Sequence, residues 1–358
     1  MVFAGRNIKA AQGHFVRPAQ DLIGTQSMHN LSIGTLLRRP EAGAFLGMIA
    51  VVLFFLIFGG INFLKPAGIA SWLNVAANIG IIAIPVGLLM IAGELDISIG
   101  SMIPAGSMIV AIMSGHYDFP MWISILAVLG FGAVVGTING FLVVRTAVPS
   151  LIVTLGTLFA VAGLVLGLSV MITGTTSVGI KAPAVYKAIF GQFIGGTYQV
   201  LILWWIALTA VYIFYIHYSK FGNWIFALGG DRDSARNAGI PTTKVTITLF
   251  ILSSCSASFV GMCQALLFNS AQVSAGMSYI FNVIISVVVG GVLLTGGFGS
   301  VVGIVFGTIT LAVVTQGIYF TGFDRNWSSL IIGVMLLLAV LLNNTFRKMA
   351  LNYAPKKK

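Results

Sequence analysis

Two carboxylates stand inside an apolar stretch, in Gly93-Glu94-Leu95-Asp96-Ile97-Ser98-Ile99-Gly100-Ser101, with Pro104 close behind. Acids at this spacing suit three kinds of chemistry: a proton or cation relay, an anchor for polar backbone at a helix break, or a cap for the next helix. A carboxylate in hydrocarbon costs ~2.5–3.5 kcal/mol even on the lenient insertion scale, so it must face water, a partner or a cavity. Gly93, Gly100 and Pro104 favour a broken helix near 93–104, with Glu94, Asp96, Ser98, Gly100 and Ser101 beside a route through the bundle. The plainer reading is a tight cytoplasmic turn in which Asp96 accepts the free N–H groups of the following helix.

A second polar segment is Gly229-Gly230-Asp231-Arg232-Asp233-Ser234-Ala235-Arg236-Asn237-Ala238-Gly239-Ile240-Pro241. Asp231 is a good N-cap, Ser234 to Ala238 favour a short helix, Gly239 ends it and Pro241 prevents its return. Such a helix between two membrane spans suits docking of another protein, and an exposed, salt-bridged turn is the alternative. Arg232 and Arg236, four apart, share a face and suit acidic groups on a partner. Ala235 and Gly239 are small, as close packing requires.

The remaining groups argue against covalent or metal chemistry. His14, His29, His116 and His217 are scattered in the first segment or at span ends. Cys255 and Cys263, eight apart in an apolar run, lack metal-ligand companions, so no metal or cofactor is expected. Asn74, Asn78, Asn139, Gln264, Asn282 and Gln316 are amides in or near spans. Each suits either a helix–helix hydrogen bond or a place along a path for a neutral, hydroxyl-rich solute.

The elements that must position these groups follow from composition. Of 358 residues, 58% are hydrophobic and only 8% charged, where a soluble domain carries about 25% charge. That excludes a soluble enzyme and a nucleic-acid-binding domain. Apolar runs long enough to cross ~30 Å of hydrocarbon recur near 44–61, 72–92, 97–113, 121–144, 150–173, 198–218, 245–268, 279–294, 300–320 and 327–343. The expectation is an all-α integral membrane protein of about ten helices. Residues 1–43 and 344–358 form polar tails around a transmembrane domain at 44–343, and Leu31–Arg39 is a candidate for a helix along the membrane surface.

Basic residues orient the bundle. With both termini inside, Arg145, Lys220, Arg232, Arg236, Lys244 and the basic residues of both tails are cytoplasmic. Only Lys65, Lys181, Lys187 and Arg325 lie outside. The net charge of +11 is therefore topological, and no nucleic-acid partner is implied. Glycines four apart, at Gly132/Gly136/Gly140, Gly163/Gly167 and Gly299/Gly303/Gly307, predict close helix packing. A break at Gly290 to Ser300 echoes the one at Gly93 to Ser101 and suggests an internal duplication.

Gly93–Ser101 resembles the Gly-Gly-Ile-Asp-Leu-Ser-Val-Gly-Ser signature of membrane permeases in bacterial ABC importers for ribose, xylose, arabinose and related sugars. Gly229–Ile240 resembles their cytoplasmic coupling loop, a Gly-Gly-Asn, Ala-Ala, Ser-Gly-Ile pattern, within 219–244. The likeness extends over roughly 44–343. Departures are Glu94 for a Gly of the signature, and Asp231, Ser234 and Ala238 for the Asn, first Ala and Ser of the loop. The resemblance implies an inner-membrane subunit, not itself an enzyme, that forms a sugar path with a second permease subunit. It also implies a cytoplasmic ABC ATPase engaging Asp231, Arg232, Ser234, Ala235, Arg236, Gly239 and Ile240, and a periplasmic sugar-binding protein.

The residues agree on one point independently. No Gly-x-x-x-x-Gly-Lys-Ser/Thr phosphate loop occurs, so ATP hydrolysis by that route needs another chain. Two alternatives stay open: an ion- or proton-coupled secondary transporter using Glu94 and Asp96, or an ABC permease for another small solute such as a branched-chain amino acid.

Overall fold

The computed structural model describes residues 40–146, 148–322 and 324–327, with 329, 330, 333, 334, 337, 338 and 341 beyond them. The expected surface helix Leu31–Arg39, the basic tail 344–358 and much of the expected span at 327–343 lie outside the described residues.

Long apolar runs become helices because in lipid every backbone group must be satisfied within the segment. They are α1 (Pro40–Gly59), α2 (Pro66–Ile91), α3 (Ile99–Val110, continued by a wider turn to His116), α4 (Met121–Arg145) and α5 (Ser150–Thr173). After a stretch of shorter elements come α7 (Leu201–Tyr218), α10 (Thr242–Phe268), α11 (Met277–Val289) and α12 (Val301–Gly317). The intervening α6 (Ala184–Phe190), α8 (Lys220–Gly230) and α9 (Arg232–Asn237) lie at the ends of the bundle. Among the described residues, eight helices are long and apolar enough to span a bilayer, and α11 is a shorter apolar one. The protein is a multi-pass, all-α membrane protein, as the apolar runs predict.

Prolines punctuate the starts. Pro66 opens α2 at its first position, where a missing N–H is harmless. Pro120, Pro149 and Pro241 immediately precede α4, α5 and α10. Two small antiparallel ribbons, not anticipated from the sequence, close one end. β1 (Ser177–Gly179) pairs with β4 (Ser270–Gln272), and β2 (Phe193–Ile194) with β3 (Tyr198–Gln199).

α2 is the central helix: 89% of its most apolar stretch is buried within the chain, against 22% for α5 and for α7. α10 packs along α4, α3 and α2, and α12 along α2, α1 and α11. Glycines allow the closest approaches. A Cβ on Gly132, Gly136 or Gly140 would lie within 2.9 Å of α10 backbone, and one on Gly307 would lie 2.1 Å from the Ser286 carbonyl oxygen. Gly163 and Gly167, expected to pack likewise, meet nothing within 4 Å. Their face of α5 points away from this chain, which sequence spacing does not disclose.

The connectivity sorts the loops into two ends. One gathers 92–98, 219–241 and 290–300 and carries Arg145, Lys220, Arg232, Arg236 and Lys244. The other gathers both ribbons, α6, Lys181 and Lys187. By the charge rule the first end is cytoplasmic.

Candidate functional site

α2 ends in a left-handed cap. Ala92 N–H donates to Leu88 O, Gly93 N–H to Met90 O and Glu94 N–H to Leu89 O, each at 3.0 Å, with Gly93 at φ 88°. α11 ends identically: Gly290, Gly291 and Val292 donate to Ser286, Val288 and Val287, with Gly291 at φ 91°. This cap needs a residue that tolerates positive φ, hence glycine at both positions. The two breaks thus share their cap. The Gly-Ser pairs are not equivalent, however: Ser300 caps α12, accepting from Gly303 N–H, whereas Gly100 and Ser101 lie inside α3.

The chain then climbs without helical bonds from Gly93 to Ser98 before α3 begins. The break is thus confined to 92–98, and Pro104 falls within α3 rather than ending the break. Non-helical backbone at membrane depth is tolerated only where protein satisfies it. Here Leu95 N–H donates to Ser150 Oγ at 3.1 Å and Ile97 N–H to Thr154 Oγ1 at 3.3 Å, both on α5. Ser98 N–H donates to Asp96 Oδ1 at 2.9 Å.

Asp96 is 1% exposed and accepts two further bonds, from Ser98 Oγ–H and, at 2.7 Å on Oδ2, from Ser253 Oγ–H of α10. Ser253 sits about 16 Å along α10 from Thr242 at the helical rise of 1.5 Å per residue, which places Asp96 well inside the span. Ser98 Oγ also accepts from Asn139 Nδ2 at 3.0 Å, and Asn139 Oδ1 accepts from Thr157 Oγ1 at 2.6 Å. One buried relay, Thr157–Asn139–Ser98–Asp96–Ser253, thereby ties the break to α5, α4 and α10. Ser101 Oγ closes the first turn of α3 by donating to Ser98 O at 2.9 Å.

Glu94 belongs to a different contact. Its Oε1 takes a 2.7 Å ion pair from Arg232 Nη1, while Arg232 Nη2 donates to Thr246 Oγ1 at 3.2 Å. Arg232, placed by spacing on a face for an external acid, is committed to an acid of its own chain. Asp231 caps α9 by accepting from Ser234 N–H at 2.7 Å, and the Ser234 hydroxyl and N–H hold its carboxyl below the usual range. Ala235 is 4% exposed and packs inward, Gly239 takes φ 81°, and Ile240 N–H returns to Ala235 O at 3.1 Å. Ser234 and Arg236 are exposed. α8 arrives through Gly229, where a Cβ would lie 1.7 Å from Ile91 O; that same carbonyl accepts from Gly297 N–H at 2.8 Å.

The expected amides divide. Asn139 belongs to the Asp96 relay. Asn74 anchors the β2–β3 ribbon, donating to Thr197 O and accepting from Gln199 N–H. Asn78 Nδ2 donates to Gln199 Oε1 at 2.6 Å, and Gln264 Nε2 donates both to Asn78 Oδ1 at 3.1 Å and to Tyr279 Oη. Asn282 and Gln316 are half-buried and make no side-chain hydrogen bond among the described residues. Sequence reasoning missed Ser150, Thr154, Thr157, Ser253, Gln199 and Tyr279, because a hydroxyl or amide bonded to a distant turn looks like any other in a span. No group of three metal-ligating side chains occurs among the described residues.

The family described as "Branched-chain amino acid transport system / permease component" matches residues 68–340. A fructose import permease protein of Rhizobium meliloti is 29% identical over 311 residues, covering 85% of this chain and 84% of the relative. A probable ABC transporter permease protein of Escherichia coli is 32% identical, covering 83% and 88%. The ribose import permease protein of Escherichia coli is 28% identical, covering 79% and 87%. No solved structure matches the chain.

Proposed function

The chain belongs to this permease family of ABC transport systems, and from that premise we propose that it forms the inner-membrane path for a monosaccharide or related polyol. The observation that carries this reading is the commitment of both acids in the break: Glu94 is paired with Arg232, and Asp96 accepts from three donors. An ion-coupled carrier needs ionisable groups free to bind and release within the spans. An amino acid brings an ammonium and a carboxylate, which helix termini or charged side chains must hold. A neutral hydroxylated solute needs neither, and the relatives whose names specify a solute include fructose and ribose permeases.

In this reading a cytoplasmic ABC ATPase supplies the energy and docks on α9, through Ser234, Arg236 and the backbone at Gly239 and Ile240. Asp231 caps that helix, and Ala235 and Arg232 hold it against the bundle. A periplasmic sugar-binding protein delivers the solute at the ribbon end, and a second permease subunit, a copy or a paralogue, completes the path. Gln264 through its Oε1, Asn282 and Gln316 are the amides offered to hydroxyls along it, while Asp96 and Ser98 set the break that shapes it and Gly100 and Ser101 lie in the first turn of α3 beyond it.

Co-purification tests the reading. The permease, expressed with a cognate ABC ATPase and sugar-binding protein, is expected to retain the ATPase and to raise its hydrolysis rate when sugar-loaded binding protein is added. A permease that retains no ATPase and still transports would refute it.

A further inference from the structure

Glu94 stands where the signature it resembles has glycine, so the contact it makes is a property of this chain. Its side chain is 11% exposed and that of Arg232 42% exposed. The guanidinium therefore reaches in from α9 to an enclosed carboxylate. Arg232 is held from a second side by Thr246 of α10. Around the pair, Gly229, Ile91 O and Gly297 N–H are in backbone contact, so the ends of α8 and α2 and the 290–300 turn abut without slack. Beyond Glu94 the chain offers no slack either. Leu95 and Ile97 hang on Ser150 and Thr154, Asp96 and Ser98 on Asn139 and Ser253, and α3 starts at Ile99.

We propose that the Glu94–Arg232 ion pair is a strut that carries displacement of the docking helix α9 into the 92–98 break and so to the start of α3, making both residues positioning residues for transport. The proposal rests on the importer reading above, because only a docked ATPase moves α9. A partly enclosed ion pair is well matched to that role. The bond is directed and charge-assisted, and removal of Arg232 leaves the Glu94 carboxylate uncompensated in an enclosed site. Arg232 then acts on the chain's own break rather than on the ATPase, and Arg236 remains the basic side chain offered outward.

The test uses the complete complex in proteoliposomes and reads sugar transported per ATP hydrolysed. Glu94→Gln is expected to retain the ATPase subunit and its stimulation by loaded binding protein, while the transport ratio falls by about 5-fold or more, the lower range of measured site-to-site coupling. The exchanged pair, Glu94→Arg with Arg232→Glu, is expected to restore the ratio above that of either single variant. An unmutated ratio in Glu94→Gln overturns the proposal. Where Glu94→Gln lowers the amount of inserted permease, the exchanged pair decides, and recovery of amount without recovery of ratio makes the contact purely structural. Loss of ATPase retention in the unmutated complex would instead overturn the importer reading, a result the variants cannot mimic.

Discussion

Replacing Asp96 tests how the break is held. Asp96→Ala removes the acceptor for Ser98 N–H, Ser98 Oγ–H and Ser253 Oγ–H. The two hydroxyls can rotate toward other acceptors, but the Ser98 N–H is fixed by the backbone. An orphaned buried donor costs about 1–3 kcal/mol, and a lost hydrogen bond about 0.5–1.5 kcal/mol. With partial rescue of the hydroxyls, the sum is roughly 2–4 kcal/mol of support for the 92–98 segment. Asp96→Asn keeps an oxygen for both Ser98 donors. Its amide can donate to Ser253 Oγ once that hydroxyl turns, so the loss falls to about 1 kcal/mol. Hydrogen exchange at Leu95–Ser101 should accelerate strongly in the alanine variant and slightly in the asparagine one, with sugar uptake abolished in the first and partly kept in the second. Equal, near-unmutated exchange and uptake in both would refute the relay.

Further outcomes follow from the same geometry. Single cysteines at Gln192 and Ser234, in a background lacking Cys255 and Cys263, should label from opposite sides of the membrane; same-side labelling would overturn the topology. Gly261→Val should lower the thermal unfolding temperature of the purified permease, since a Cβ at Gly261 would lie 1.9 Å from Ile103 O and such overpacking costs about 1–3 kcal/mol. An unchanged unfolding temperature would mean that α3 and α10 do not cross there. Arg236→Glu, at an exposed position of α9, should leave the permease inserted but reduce ATPase retention and stimulation; unmutated values for both measurements would make α9 only a surface turn.

Spans were legible wherever lipid imposes a period-free apolar run. Ser150–Thr173 was readable to the residue, and most other ends within a few. The break at Glu94 and Asp96 was legible because charge has to be explained in such a run, and α9 because Asp231, Gly239 and Pro241 are local punctuation. What each polar group touches was not legible. Arg232 finds Glu94 across 138 residues of chain, and Leu95 and Ile97 find α5 hydroxyls on a helix whose Ser150 and Thr154 look ordinary. Asn139 was recognised as an amide but not as part of the Asp96 relay. Glycine spacing at Gly132, Gly136 and Gly140 marked a close helix contact, which the fold makes with α10, yet the same spacing at Gly163 and Gly167 faces outward, because period alone does not reveal which neighbour lies opposite.

The central claim is that uptake through this chain is driven by ATP on a partner and not by an ion gradient, with both acids of its break held in contacts within the chain. Uptake of labelled monosaccharide by cells carrying the permease, its ATPase and its binding protein measures this directly when vanadate and an uncoupler are applied separately. The account predicts that vanadate stops uptake and that the uncoupler, with ATP levels held, leaves it unchanged. Uptake that survives vanadate and collapses with the uncoupler would contradict it.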